Sequence, residues 1–156
     1  MSERERLFQQ IDALNVENFQ DSALAVFQYQ SKYNLIYKKY IEALNINPEI
    51  IDDLRKIPFL PIDFFKQHQV VTNLGQDANY EAIFESSGTS SGINSKHYVQ
   101  NLDHYLINAE NIFEQHYGKL EDFVILALLP SYLERKGSSL VAMVDFFIKK
   151  TKSSDS

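Results

Sequence analysis

Cysteine is missing from this sequence, and so is any long apolar run. Without cysteine, neither a disulfide framework nor a thiolate-bound metal site can form. The longest apolar run, residues 123–129, is far too short to cross a bilayer. The first residues are charged and do not have the apolar core of a signal peptide. We therefore expect a cytoplasmic protein that has no membrane span and no metal site built from its own side chains.

Basic residues are also in the minority. The 15 Lys and Arg residues are outnumbered by 21 Asp and Glu, so the formal net charge is -6 at pH 7. A protein binds nucleic acid or an anionic membrane mainly by pairing clustered Lys and Arg side chains with phosphates. This sequence has no such cluster. We therefore expect no nucleic-acid partner. The 44% hydrophobic and 23% charged content is typical of a globular chain long enough to bury a core.

Residues 1–70 are predicted to form a helical leader. Apolar and tyrosine side chains recur at helical spacing over 19–44, which predicts one helix with a single packed face. Asp21 or Ser22 is a candidate cap for the start of this helix. Asn47 and Pro48 are typical of the start of a shorter helix, which we expect to reach about Lys56.

Residues 71–156 have the pattern of an α/β subdomain. Segments 80–85 and 96–100 have a strand's composition, and the apolar run 123–129 is typical of a strand buried on both faces. Two helices complete the pattern, one capped by Asp103 and ending at Gly118, the other capped by Ser138 or Ser139. The fold class predicted is α/β: an N-terminal helical segment followed by an incomplete αβ subdomain, expected to form one compact unit.

A loop rich in serine and glycine connects the first two predicted strands. Its residues are Ser86, Ser87, Gly88, Thr89, Ser90, Ser91 and Gly92, and Lys96 follows closely. Small side chains allow backbone N–H groups to approach an anion, while hydroxyls and an ammonium add donors and charge. The loop has neither the spacing of a Walker motif nor the helix that follows a dinucleotide-binding glycine motif. Such a loop suits phosphate oxygens, although similar runs also occur as plain linkers.

The loop and the segments 26–30, 57–66 and 129–135 together resemble the LuxE-type acyl-protein synthetases. These belong to the adenylate-forming group that includes acyl-CoA synthetases and phenylacetate-CoA ligases. The resemblance implies a ligase or acyltransferase that uses ATP and Mg²⁺ to convert a carboxylic acid, with a fatty acid as one candidate, into an acyl-adenylate. The acyl group would then pass to a protein thiol and on to an acyl-acceptor or reductase partner.

The resemblance also assigns residues. The loop 86–92 and Lys96 would bind the ATP phosphates, and Lys96 stands one position later than the family's lysine. The turn after the buried strand, where open α/β sheets present ligands, makes Pro130, Ser131 and Tyr132 candidates for the substrate pocket. The family's ribose-binding acid, its Tyr/Thr/Glu motif and its late lysine would lie beyond residue 156. We therefore assign no catalytic residue and expect this portion alone to be inactive.

One alternative belongs to another functional class. The chain could be a non-catalytic α/β interaction module that keeps the family's scaffold and offers its apolar surface to a partner protein.

His97 and His104 have no second spaced ligand near them, so packing or surface roles are favoured over metal binding.

Overall fold

The chain forms two compact units in a computed structural model, Met1–Asp77 and Ala78–Ser156. The structure describes residues 1–72, 79–86, 94–128 and 137–153. The described part is rich in helix and contains one small antiparallel sheet, so it belongs to the mixed α/β class that the sequence predicts. The predicted division of the chain between residues 70 and 71 stays a prediction.

The described residues form six α-helices and two strands. They are α1 (Glu3–Asp12), α2 (Phe19–Tyr33), α3 (Leu35–Ala43), α4 (Phe64–Gln67), β1 (Ala82–Glu85), β2 (Lys96–Val99), α5 (Leu102–Tyr117) and α6 (Ser139–Lys150). Three short 3₁₀ turns accompany them, at Pro48–Ile50, Leu54–Lys56 and Leu120–Asp122.

A single residue divides the long helix that the sequence predicts over 19–44. Asn34 has an extended backbone, with φ -96° and ψ 104°, and its side-chain oxygen accepts a hydrogen bond from Tyr37 N at 3.1 Å. It therefore ends α2 and caps α3, as asparagine commonly does. The prediction of one continuous helix was wrong at this residue, and neither Asp21 nor Ser22 is the cap of α2, which begins after Asn18.

The core of the first unit lies between α2 and α3. Phe27, Tyr37 and Ile41 are its buried members, and Ile57 and Leu60 pack against them. Tyr37 donates its hydroxyl proton to the Pro58 carbonyl at 2.7 Å. Burial raises the pKa of the Tyr37 hydroxyl to about 12, so the group stays protonated and remains a donor. The proline-containing segment after the 3₁₀ turns is thereby fixed to the helical core.

Two 3₁₀ turns replace the helix predicted over 47–56. Asn47 caps the first turn by accepting from Glu49 N at 3.0 Å, and Pro48 occupies the first helical position, as predicted. The backbone is extended again at Ile51, and Asp53 caps the second turn through Arg55 N at 2.9 Å. A competing cap within ten residues is enough to interrupt a short helix.

The two strands predicted on either side of the loop are confirmed, and they form a hairpin. Strands β1 and β2 pair antiparallel, with Glu85 opposite Lys96 and Phe84 opposite His97. Phe84 is buried, and its ring centroid lies 5.4 Å from the ring centroid of Tyr105 on α5. A two-stranded sheet is only marginally stable by itself, so this helix supplies the packing that the hairpin needs.

Helices α5 and α6 pack through aromatic side chains. The ring centroid of Phe113 lies 5.3 Å from the ring centroids of both Phe123 and Phe147. Leu120, in the 3₁₀ turn after α5, contributes a side chain that is only 1% exposed. Asn101 caps α5 by accepting from His104 N at 2.8 Å, so the prediction of an Asp103 cap was wrong by two residues. Of the two predicted caps of α6, Ser138 and Ser139, the structure selects Ser138.

The buried strand predicted at 123–129 is not found in its described part. Residues 123–128 belong to no strand, and Leu126 and Leu128 are 79% and 99% exposed. An apolar run can be buried on both faces only where other layers cover it. The described residues of this chain do not cover these two side chains, so composition alone gave the wrong prediction here.

Gly118 ends α5 in a conformation that suits glycine alone, with φ 94° and ψ -173°. We expect Gly118→Ala to lower the free energy of unfolding by about 1–3 kcal/mol, because any Cβ is strained in this region. Space is not the cause, since an added Cβ would meet no atom within 4 Å. Gly137→Ala is the matched control: its Cβ would meet Glu85 at 3.7 Å in ordinary contact, and its φ is not left-handed. Equal losses in urea denaturation would contradict the assignment of strain to Gly118.

Candidate functional site

The loop end of the β1–β2 hairpin holds Ser86 and Ser95, two described residues that flank most of the predicted phosphate loop. Ser86 N donates to Ser95 O at 3.0 Å, and Ser95 N donates to Ser86 Oγ at 3.0 Å. These two bonds continue the strand pairing by one further residue on each side. Ser86 and Ser95 are therefore held side by side at the end of the sheet.

Two opposite charges stand beside this closure. Lys96 Nζ lies 3.6 Å from Glu85 Oε1, and the two side chains are 50% and 43% exposed. A pair this exposed contributes little to stability, because water screens it and ordering both side chains costs entropy. The ammonium can therefore leave the carboxylate for a stronger anion at small energetic cost. A phosphate group at the loop would be such an anion.

Other predicted site residues lie outside the described part of the chain. They are Ser87, Gly88, Thr89, Ser90, Ser91 and Gly92 of the loop, and Pro130, Ser131 and Tyr132 of the substrate pocket. Their assignments stay predictions. Ser86 and Lys96 are described, and the hairpin brings both to the same end of the sheet.

Sequence reasoning missed two residues at this position. Ser95 supplies both backbone partners of Ser86, and Glu85 is the ionic partner of Lys96. The missed signal was the register of the hairpin. Residues that stand at equal distances from a loop face each other across an antiparallel pair, so Glu85 and Lys96 could have been paired from the strand prediction.

Among the described residues, no group of three or more His, Asp or Glu side chains is arranged to hold a metal ion. In the same part of the chain, every helix is too short or too polar to span a bilayer.

Comparison with protein families gives a match to acyl-protein synthetase, LuxE, over residues 10–111. The chain belongs to this family. The match covers more than half of the 156 residues and includes the whole loop 86–92 and Lys96. Comparison with curated proteins and with solved structures gave no match. Membership in the LuxE family therefore rests on the sequence match. The structure adds that Ser86 and Lys96, which lie within the match, are at the same end of the hairpin.

Proposed function

We propose that this chain is the phosphate-binding part of an ATP-dependent acyl-activating enzyme that forms an acyl-adenylate and transfers the acyl group to a protein thiol. Membership in the acyl-protein synthetase family carries the acyl-transfer part of the proposal. The position of the loop between two paired strands supports the phosphate-binding part.

The donors at the hairpin closure suit a triphosphate. The serine hydroxyls and glycine amides of the loop are small, neutral donors, and Lys96 adds one positive charge. Ser86 is already fixed by Ser95, so we assign it to holding the loop closed, with its hydroxyl proton available to a phosphate oxygen. Lys96 is exposed enough to reach an anion outside the sheet.

The nucleotide is proposed to enter together with Mg²⁺. This ion commonly binds substrate phosphates and only one or two protein carboxylates. ATP would supply the adenylyl group that turns a carboxylate into a reactive acyl donor, and the loop would orient the phosphates for that reaction.

The acyl acceptor must lie outside these residues. A thioester needs a cysteine or another thiol, and the sequence has none. The thiol therefore belongs to a partner protein or to a part of the enzyme outside these 156 residues. The acid itself, with a fatty acid as one candidate, is proposed from the family alone.

Isothermal titration of ATP–Mg²⁺ tests the phosphate-binding proposal. We expect Thr89→Val to weaken nucleotide binding about tenfold or more, because a hydrogen bond to a charged group is lost while side-chain volume is kept. Thr151→Val is the matched control in the same unit: its hydroxyl caps α6 by donating to Ile148 O at 2.9 Å. It should change thermal stability slightly and leave nucleotide affinity unchanged.

Two results would contradict the proposal. One is an unchanged affinity in Thr89→Val, which would remove the loop from nucleotide binding. The other is a wild-type chain that binds no ATP–Mg²⁺, which would favour the interaction module.

A further inference from the structure

The charges of the hairpin strands and of the loop between them come from two residues. Within 82–99, Glu85 is the only acidic residue and Lys96 the only Lys or Arg, so this stretch of sequence has no net charge. Free ATP carries about four negative charges above pH 7, because its terminal phosphate is doubly ionised there, and bound Mg²⁺ reduces the total to about two. Lys96 balances neither form, since Glu85 already cancels its charge.

Glu85 cannot follow a ligand away from the hairpin, because its strand is held on both edges. On one edge β1 pairs with β2, which places Glu85 opposite Lys96. On the other edge Glu85 N donates to Gly137 O at 2.7 Å. The Cβ and Cγ atoms of Glu85 also lie beside Gly137, 3.8 and 3.7 Å from where a Cβ on that glycine would stand. The carboxylate therefore stays within a short side chain's length of the loop end of the hairpin.

Lys96 has the longer reach of the two. Its ammonium stands on a flexible four-carbon stem, and the side chain is 50% exposed. An ammonium that turned towards a phosphate would lengthen the distance from Lys96 Nζ to Glu85 Oε1, which is 3.6 Å in this structure. The carboxylate would then lose its counter-ion while it remained beside the phosphates.

The repulsion between this carboxylate and a nucleotide depends on the charge of the nucleotide. Coulomb energy is proportional to the product of the two charges, so repulsion is about twice as large for free ATP as for ATP–Mg²⁺. A fixed carboxylate at this position therefore discriminates between the two forms. A second lysine there would favour the more highly charged form instead.

We infer that Glu85 is a specificity-determining residue, which makes the loop end of the hairpin select ATP complexed with a divalent cation over free ATP. The inference rests on the proposed function, because it requires nucleotide phosphates at the loop. It extends that proposal by giving a role to the carboxylate that pairs with Lys96.

Calorimetric titration with two forms of the nucleotide tests the inference. The ligands are ATP with excess Mg²⁺ and ATP with EDTA, at equal ionic strength, and displacement of a fluorescent ATP analogue measures a form that binds weakly. In Glu85→Gln we expect the Kd to fall about threefold for ATP–Mg²⁺ and about tenfold for free ATP, because doubling the ligand charge doubles the change in binding free energy. The preference for the complexed form should therefore fall about threefold.

Glu121→Gln is the matched control. Glu121 pairs with Lys152 at 2.7 Å in the same unit, and its side chain is 47% exposed, against 43% for Glu85. The two substitutions change the net charge of the protein equally, so an effect of overall charge would appear in both. We expect Glu121→Gln to change each Kd less than about twofold, because salt screens distant exposed charges.

A second variant separates charge from side-chain identity. Glu85→Asp keeps the carboxylate and should keep the preference for ATP–Mg²⁺ within about twofold of the wild type. Circular dichroism checks the folding of every variant. Glu85→Thr, whose side chain suits a strand, replaces Glu85→Gln if that variant does not fold.

The outcomes separate this inference from the proposed function. Equal fold-changes for the two forms of ATP in Glu85→Gln would overturn the inference, and so would equal effects of Glu85→Gln and Glu121→Gln. Loss of the preference in Glu85→Asp would overturn it as well. In each of these cases nucleotide binding by the wild type still supports the proposed function. A wild-type chain that binds neither form would overturn both.

Discussion

Ile41→Ala should lower the free energy of unfolding by about 2–5 kcal/mol, the usual cost when a buried aliphatic side chain is truncated. Ile41 is 2% exposed and lies in the core cluster with Phe27 and Tyr37. Its removal forfeits the transfer free energy of the lost methyl groups and leaves a cavity between α2 and α3. Tyr37 is fixed through its hydroxyl to Pro58, so the neighbouring ring cannot move freely to fill that cavity.

Ile50→Ala makes the same chemical change at a surface position. Ile50 closes the first 3₁₀ turn and is 71% exposed, so its truncation should cost less than about 0.5 kcal/mol. Urea denaturation, followed by circular dichroism, measures both variants against the wild type. Losses of equal size would show that the core of the first unit does not lie between α2 and α3.

Leu120→Ala is expected to have an effect of the same order, about 2–5 kcal/mol, in the second unit. The side chain is 1% exposed, and its turn contacts both α5 and α6. Its backbone is also fixed, because Leu120 N donates to Glu114 Oε1 at 3.0 Å. A turn fixed in this way cannot move freely to fill the cavity that the shortened side chain leaves.

Leu128→Ala is the control for this variant. Leu128 is 99% exposed, so its truncation should change the unfolding free energy by less than about 0.5 kcal/mol. The same denaturation experiment applies. A large loss of unfolding free energy in Leu128→Ala would mean that this side chain is buried in solution. That result would support the buried strand predicted from the apolar run 123–129.

Features controlled by neighbouring residues were predicted well. Asn47 and Pro48 begin a helical turn, Ser138 caps α6 and Gly118 ends α5, all as the sequence indicates. Each depends on a side chain that bonds a backbone group within three residues, or on a φ angle that only glycine tolerates. The two strands of the hairpin were also predicted, because their composition and the loop between them are local signals.

Features decided by distant packing were predicted poorly. The turn at Asn34 is different, because its cap is a local signal; it was missed because the apolar spacing over 19–44 continues through both helices. The run 123–128 has the composition of a buried strand, but burial requires covering layers that composition does not reveal.

By itself, the sequence determined the family and the phosphate-loop hypothesis, because both depend on residue types in a fixed order along the chain. Tertiary structure alone decided which leucines are covered, and that α2 shares an uncharged groove with segments up to 42 residues away, as the Gln30–Thr72 bond illustrates. Contacts between distant residues arise only when the chain folds back on itself, so no local pattern carries them.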